Sequence, residues 1–189
     1  MRRILLSLAL SLIMVGAFAQ EHLSFKGIPI EGSMTSFCQK LISKGFNKIG
    51  TDNNITLFVG DFTGRQATVG VAATDDGNNV HSVVVLFDQS GEWNTLVNTY
   101  DYYKNLYTRK YGKPSACKEH NPSRMDSNTS LMYELIQGRV TYASAWEVTG
   151  GSIELSIEKA NDYSDGMVII RYRDAQNVEA KIQNDLNDI

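Results

Sequence analysis

Three histidines, two cysteines and three prolines are all that 189 residues hold of the types that most often carry catalysis, bridges or rigid breaks. The short signatures of chemistry are missing as well. There is no Gly-x-Ser-x-Gly elbow, no His-Glu-x-x-His, no Cys-x-x-Cys, no glycine loop closing on Lys-Ser or Lys-Thr, and no EF-hand loop. A nucleophile needs a base that is itself held by a third group, and His22, His81 and His120 stand in no pattern that proposes such a set. The sequence therefore points to no catalytic residue, no cofactor site and no metal site.

Positive charge is also scarce, with 18 Lys and Arg against 21 Asp and Glu. Arg2 and Arg3 fall within residues 1–19, which carry no acidic group, so residues 20–189 hold 16 basic and 21 acidic residues, a net charge of −5. A mildly acidic chain with scattered cations leaves no electrostatic footprint for DNA or RNA.

Long apolar runs are absent but for one, residues 4–15. It is shorter than the roughly 20 residues a membrane-spanning helix needs. It follows Met1-Arg2-Arg3 and ends in Gly16-Ala17-Phe18-Ala19, with small residues at both positions a signal peptidase reads. Residues 1–19 thus read as a secretory signal cut after Ala19; the opposing reading is an uncut membrane anchor. No cysteine sits at the cut, so lipid attachment is not expected. The product expected is residues 20–189, a single domain, periplasmic or secreted and without membrane insertion.

What is present reads as a string of elements. Ser33 can cap a helix whose apolar stripe is Met34, Phe37, Cys38, Leu41 and Ile42, and Gly45-Phe46 marks its end. Strand-like runs at 55–62, 65–74 and 80–87 follow, joined by turn chemistry at Thr63-Gly64 and across 75–79. A helix at about 90–111 carries Trp93, Leu96, Val97, Tyr100, Tyr103 and Tyr107 on one face and stops at Gly112 and Pro114. A polar loop at 120–129 leads to four more strand-like runs, 130–137, 140–148, 152–158 and 167–173, of which 152–158 alternates strictly. Asp174 can cap a last amphipathic helix. The order predicts an α+β fold, an antiparallel sheet built from two helix-then-meander units (αβββ-αββββ-α) with helices packed on one face.

The stretches Gly27-Ile28-Pro29-Ile30-Glu31-Gly32-Ser33, Lys44-Gly45-Phe46, Gly60-Asp61-Phe62, Lys110-Tyr111-Gly112-Lys113-Pro114 and the run 151–157 resemble a family of small exported proteins from Gram-negative anaerobes. The resemblance covers nearly all of residues 20–189 and implies no activity. In outline, the order of elements is similar to that of the beta-lactamase inhibitor protein, a likeness of topology that carries over no inhibitory residue.

Cys38 lies on the first helix's apolar stripe, where a small buried hydrophobe belongs. In an oxidising compartment Cys38 and Cys117 are also the one intramolecular pair available for a disulfide, and both readings stand. Cys117-Lys118-Glu119-His120 gathers a thiol, a carboxylate and an imidazole, one short of the four ligands usual for structural zinc unless Cys38 joins. Tyr100, Tyr103, Tyr107 and Tyr111 could stack on sugars, but they share the side of Trp93 and read as core, with Tyr102 exposed. Glu154, Ser156 and Glu158, with Glu134, Arg171 and Arg173 on neighbouring runs, form either a solvated polar face or a recognition surface.

The function expected is an exported, non-catalytic binding module whose partner is a macromolecule, a protein rather than nucleic acid, with an inhibitor-like role as a narrower form. The alternative is a small exported hydrolase with a dispersed site. Amino-terminal sequencing of protein recovered outside the cytoplasm is expected to begin at Gln20. Recovery of an intact Met1 in the membrane fraction would establish the anchor instead.

Overall fold

Ser33 starts the first helix, α1 (Met34–Ser43), by accepting the Ser36 N–H on its Oγ at 3.3 Å. The helix ends in a Schellman arrangement, with Gly45 N–H bonded to Ile42 O and Phe46 N–H to Leu41 O, and Gly45 at φ +92° supplies the left-handed residue. Phe37, Cys38 and Leu41 are buried, whereas Ile42, at the margin of the stripe, is 52% exposed. The computed structural model describes residues 21–52, 54–121, 130–160, 164–187 and 189. Residues 1–19, expected to be a secretory signal, and most of the 120–129 loop lie outside them.

Before α1 comes a short hairpin of β1 (Ser24–Phe25) and β2 (Ile28–Pro29), and after it four strands, β3 (Asn47–Asp52), β4 (Ile55–Phe62), β5 (Arg65–Ala73) and β6 (Val80–Leu86). The expected three-stranded meander therefore has a fourth member. β3 is an edge strand with five of its six residues exposed, so it carries no alternation to reveal it. The 75–79 stretch is a turn closed by Asp76, which accepts from Thr74 Oγ1 at 2.6 Å and from the Asn78 N–H at 3.0 Å.

Helix α2 (Trp93–Tyr111) buries Leu96, Tyr100, Tyr103 and Tyr107, so its tyrosine stripe is core as far as Tyr107, while Tyr111 is half-buried and Tyr102 is exposed beneath the Arg65 guanidinium. The chain continues through β7 (Ala116–His120), α3 (Leu131–Ile136), β8 (Thr141–Val148), β9 (Gly151–Lys159), β10 (Gly166–Asp174) and α4 (Ala175–Asn187). Here the expected strand at 130–137 is a helix, which buries Met132 and Leu135 one turn apart. A run this short, five apolar residues and Glu134, fits either period, and only its packing settles which. The fourth strand of this unit is β7, fully exposed and again without a pattern.

All eight long strands form one antiparallel sheet in the order β3-β4-β5-β6-β10-β9-β8-β7. Each meander begins at an outer edge and ends at the centre, where β6 pairs with β10. Residues directly opposite share a face, and one row, Phe58, Val69, Val85, Ile170, Leu155 and Ser144, crosses six strands wholly buried. The helices lie on this side. Phe25 fills the centre of the same layer, stacked on Phe62 at 5.7 Å and edge-on to Tyr172 at 5.2 Å.

The hairpin is held there by Asp174, whose fully buried carboxylate accepts from the Leu23 N–H at 2.9 Å, from the Asn177 N–H at 3.0 Å and pairs with His22 Nδ1 at 3.0 Å. Asp174 thus caps α4, as its position predicts, and also grips the start of the domain. Asp174→Ala strands two buried N–H groups, so we expect a loss of about 3 kcal/mol and a melting temperature lower by roughly 6–12 °C. Calorimetry checks this; a loss below 1 kcal/mol would show that the grip is incidental.

Candidate functional site

The outward row next to the buried one reads Gly50, Leu57, Gly70, Val84, Arg171, Glu154, Ala145 and Ala116 across all eight strands. A second outward row reads Asn47, Val59, Thr68, Leu86, Ile169, Ser156, Ala143 and Lys118. This face turns away from the helices. Its β4–β6 half is apolar or small, with Ile55, Leu57, Val59, Val84 and Leu86 partly or largely exposed. Its β9–β10 half is charged.

In the charged half Arg171 donates to Glu158 from both terminal nitrogens, at 2.6 and 2.9 Å, and to Ser156 Oγ at 3.2 Å. Ser156 Oγ donates to Glu158 Oε1 at 2.6 Å, and Arg173 bonds Glu154 at 3.0 Å. Bidentate pairing of this kind fixes orientation as well as charge. The hydrogen bonds from Arg171, and after them the one from Ser156, hold the Glu158 carboxyl below the usual carboxylate range against the opposing effect of burial.

Five of the six residues expected to form a recognition face, Glu154, Ser156, Glu158, Arg171 and Arg173, are therefore neighbours on one surface. Glu134 is not among them. It sits in α3, only 6% exposed, bound by Arg139 Nε at 2.6 Å and Nη2 at 2.9 Å. Leu135 of the same helix and Leu96 of α2 both crowd Gly166, which puts α3 on the helix side of the sheet. The error follows from reading 130–137 as a strand. The apolar half, Leu57, Val59, Val84 and Leu86, has no signal in the sequence, because strands in a row mean nothing until their register is known.

The cysteines do not meet. Cys38 packs beside Thr56 of β4, where burial pushes its thiol up, while Cys117 lies on the opposite edge strand, β7. Six strand spacings separate β4 from β7, on the order of 25–30 Å, far beyond the reach of a disulfide. Both thiols are free. The proposed cluster at 117–120 is split by strand alternation: Cys117 and Glu119 pair with Ser144 and Tyr142 and face the helices, whereas His120 points the other way. Glu119 instead binds Lys104, and Cys117 Sγ accepts from Ser144 Oγ at 3.5 Å.

Of the histidines, His22 has a carboxylate near each ring nitrogen, Asp174 at 3.0 Å and Glu31 at 3.6 Å. His81 Nδ1 lies 2.8 Å from Ser82 Oγ. Burial first, and then the Lys181 charge, pushes the His81 imidazolium below its ordinary range. Among the described residues no group of three or more His, Cys, Asp or Glu is placed to hold a metal ion, and no helix is long and apolar enough to cross a membrane. Comparison with protein families, with curated proteins and with solved structures finds no match for this chain.

Because Glu158 titrates below its unfolded value, its bond to Arg171 stabilises fully above that value and is lost as pH falls through the folded one. The stability difference between the natural protein and Arg171→Met is therefore expected to be present at pH 6 and to shrink between pH 5 and 3. Urea melts across that range measure it; a difference that does not change with pH would mean the pair carries no linkage.

Proposed function

We propose that this protein is an exported, non-catalytic binding module that takes up a partner protein on the open face of its sheet. The observation that carries the reading is the join on that face between an apolar floor on β4–β6 and the Glu154–Ser156–Glu158–Arg171–Arg173 network on β9–β10. A solvated sheet face is ordinarily polar at alternate positions. Here β4 and β6 expose aliphatic side chains on either side of β5, which presents the smaller Thr68, Gly70 and Ala72. An apolar patch edged by oriented charges is the usual composition of a protein-recognition surface.

Size supports the same partner class. Seven strand spacings of about 4.8 Å by seven residues of about 3.3 Å give roughly 780 Å², close to the 800 Å² that one side of a standard protein interface covers. A nucleic acid does not suit it, since both arginines of the charged network are matched by carboxylates. Delivery by residues 1–19 would place the module among exported proteins, and an exported enzyme held in check is the narrower form of the proposal. A hydrolase reading would rest on the His81–Ser82 pair, two neighbours in one strand. That pair has geometry for a proton, but the hydrogen bond that reaches the His81 ring from outside the pair comes from the Ala73 backbone and not from a carboxylate.

The test is capture from the exported proteins of its own cell, followed by competition with variants. Val84→Glu and Leu57→Glu, both at outward positions, are expected to keep the fold and weaken the captured complex at least tenfold. Ile42→Glu, exposed on α1, should leave it unchanged. Equal binding by all three variants would remove the open face from consideration. Ester or peptide turnover abolished by Ser82→Ala would establish the hydrolase.

A further inference from the structure

On the helix side of the sheet, between the β1–β2 hairpin and the second half of α2, lies a groove of about 600 Å³. That volume falls in the range of small-molecule sites. The chemistry of its walls narrows the class of molecule.

The floor is made by Leu23, Phe62, Tyr103, Tyr107 and Tyr172, all buried among themselves. Their polar ends are already used. The Tyr107 and Tyr172 hydroxyls bond each other, and the Tyr103 hydroxyl bonds Thr63 Oγ1 at 2.8 Å and Phe62 O at 3.2 Å. Burial pushes the Tyr107 and Tyr172 phenols well up, so both stay neutral. The floor offers ring faces and few free hydrogen-bonding groups, which suits a hydrocarbon or aromatic body and not a sugar. Leu106 and the half-buried Tyr111 extend this lining along α2.

The rim differs in kind. Lys26 comes from the hairpin turn and Lys110 from the last turn of α2. Among the described residues neither has a carboxylate within 4.0 Å: Lys26 Nζ donates to Asp61 O at 3.0 Å and sits 5.5 Å from the Phe46 ring centre, and Lys110 Nζ sits 4.8 Å from that of Tyr111. Glu21 is the one acidic residue on the rim. His22 is already held by Asp174. Two lysines without a carboxylate partner among the described residues, on the rim of an apolar groove in a stretch, residues 20–189, of net charge −5, favour a ligand with an apolar body and a single negative head. We infer that the groove is a binding site for an amphipathic organic monoanion, an aryl- or alkyl-carboxylate.

This site is separate from the open face. Tyr172 points into the groove, while its neighbours Arg171 and Arg173 point to the other side of the sheet. Either proposal can fail without the other.

Two matched pairs of probes test it: 4-phenylbutanoate against 4-phenylbutanol, and decanoate against decanol, titrated into the full chain by calorimetry with amide NMR to locate binding. At least one acid is expected to bind saturably, at least about tenfold tighter than its alcohol, with shifts at residues 23–27 and 103–111. The double variant Lys26→Met/Lys110→Met should bring acid and alcohol to equal affinity, with an unchanged melting temperature. Leu106→Asp should abolish both. No saturable binding of either acid would overturn the inference. So would an acid bound no tighter than its alcohol, an acid preference that survives the double variant, or shifts confined to the open face.

Discussion

A single buried carboxylate organises the molecule. Asp174 ends the central strand β10, caps α4 and holds the Leu23 N–H and His22, 151 and 152 residues away in the chain. One turn further on, the buried Asn177 donates to Ile30 O and Val80 O, at 2.9 Å each, and accepts from Asn79 at 2.9 Å. A buried amide or carboxylate is tolerable only when its partners are all in place. These two residues therefore make the position of the β1–β2 hairpin, the start of β6 and the root of α4 depend on one another. Glycine permits the close approach: a Cβ on Gly150 would strike the backbone of Glu21 and Leu23, and one on Gly151 the carbonyl of Arg173.

From that junction the two surfaces of interest diverge. β10 is at the centre of the sheet, and its alternation sends Tyr172 into the helix-side groove and Arg171 and Arg173 to the open face. The hairpin placed by Asp174 supplies Phe25 to the core and Lys26 to the groove rim. The helix side is sealed by aromatic contacts such as Phe87 on Tyr103 at 4.6 Å and Tyr107 with Trp146 at 5.4 Å. With the helix side covered except at the groove, the other side is left as a broad surface whose two halves differ in polarity, because β4–β6 and β9–β10 come from different units.

Elements whose cause is local could be read directly. The Ser33 cap, the Gly45-Phe46 stop, the tyrosine stripe of α2, the strict alternation of 152–158 and the Asp174 cap each depend on residues within a turn or two of one another. Strands β3 and β7 escaped because edge strands that bury little on either face have no period to detect. The helix at 131–136 reads as a strand because a run this short, five apolar residues broken by Glu134, fits both periods. Glu134 was carried onto the wrong surface with it.

Sequence by itself thus determined the α+β class, the places of α1, α2 and α4 and the buried side of strands with a clear alternation such as 152–158, since these follow from short-range propensity and periodicity. Tertiary structure alone decided that β6 pairs with β10, that the two meanders share one sheet, and that Cys38 and Cys117 stand near opposite edges. It also decided that an apolar floor adjoins a charged network, and that a hairpin and a distant helix enclose a groove. Each of these is a contact between residues far apart in the chain. Such contacts are chosen by how completely whole surfaces can be buried and their polar groups satisfied, which no local pattern encodes.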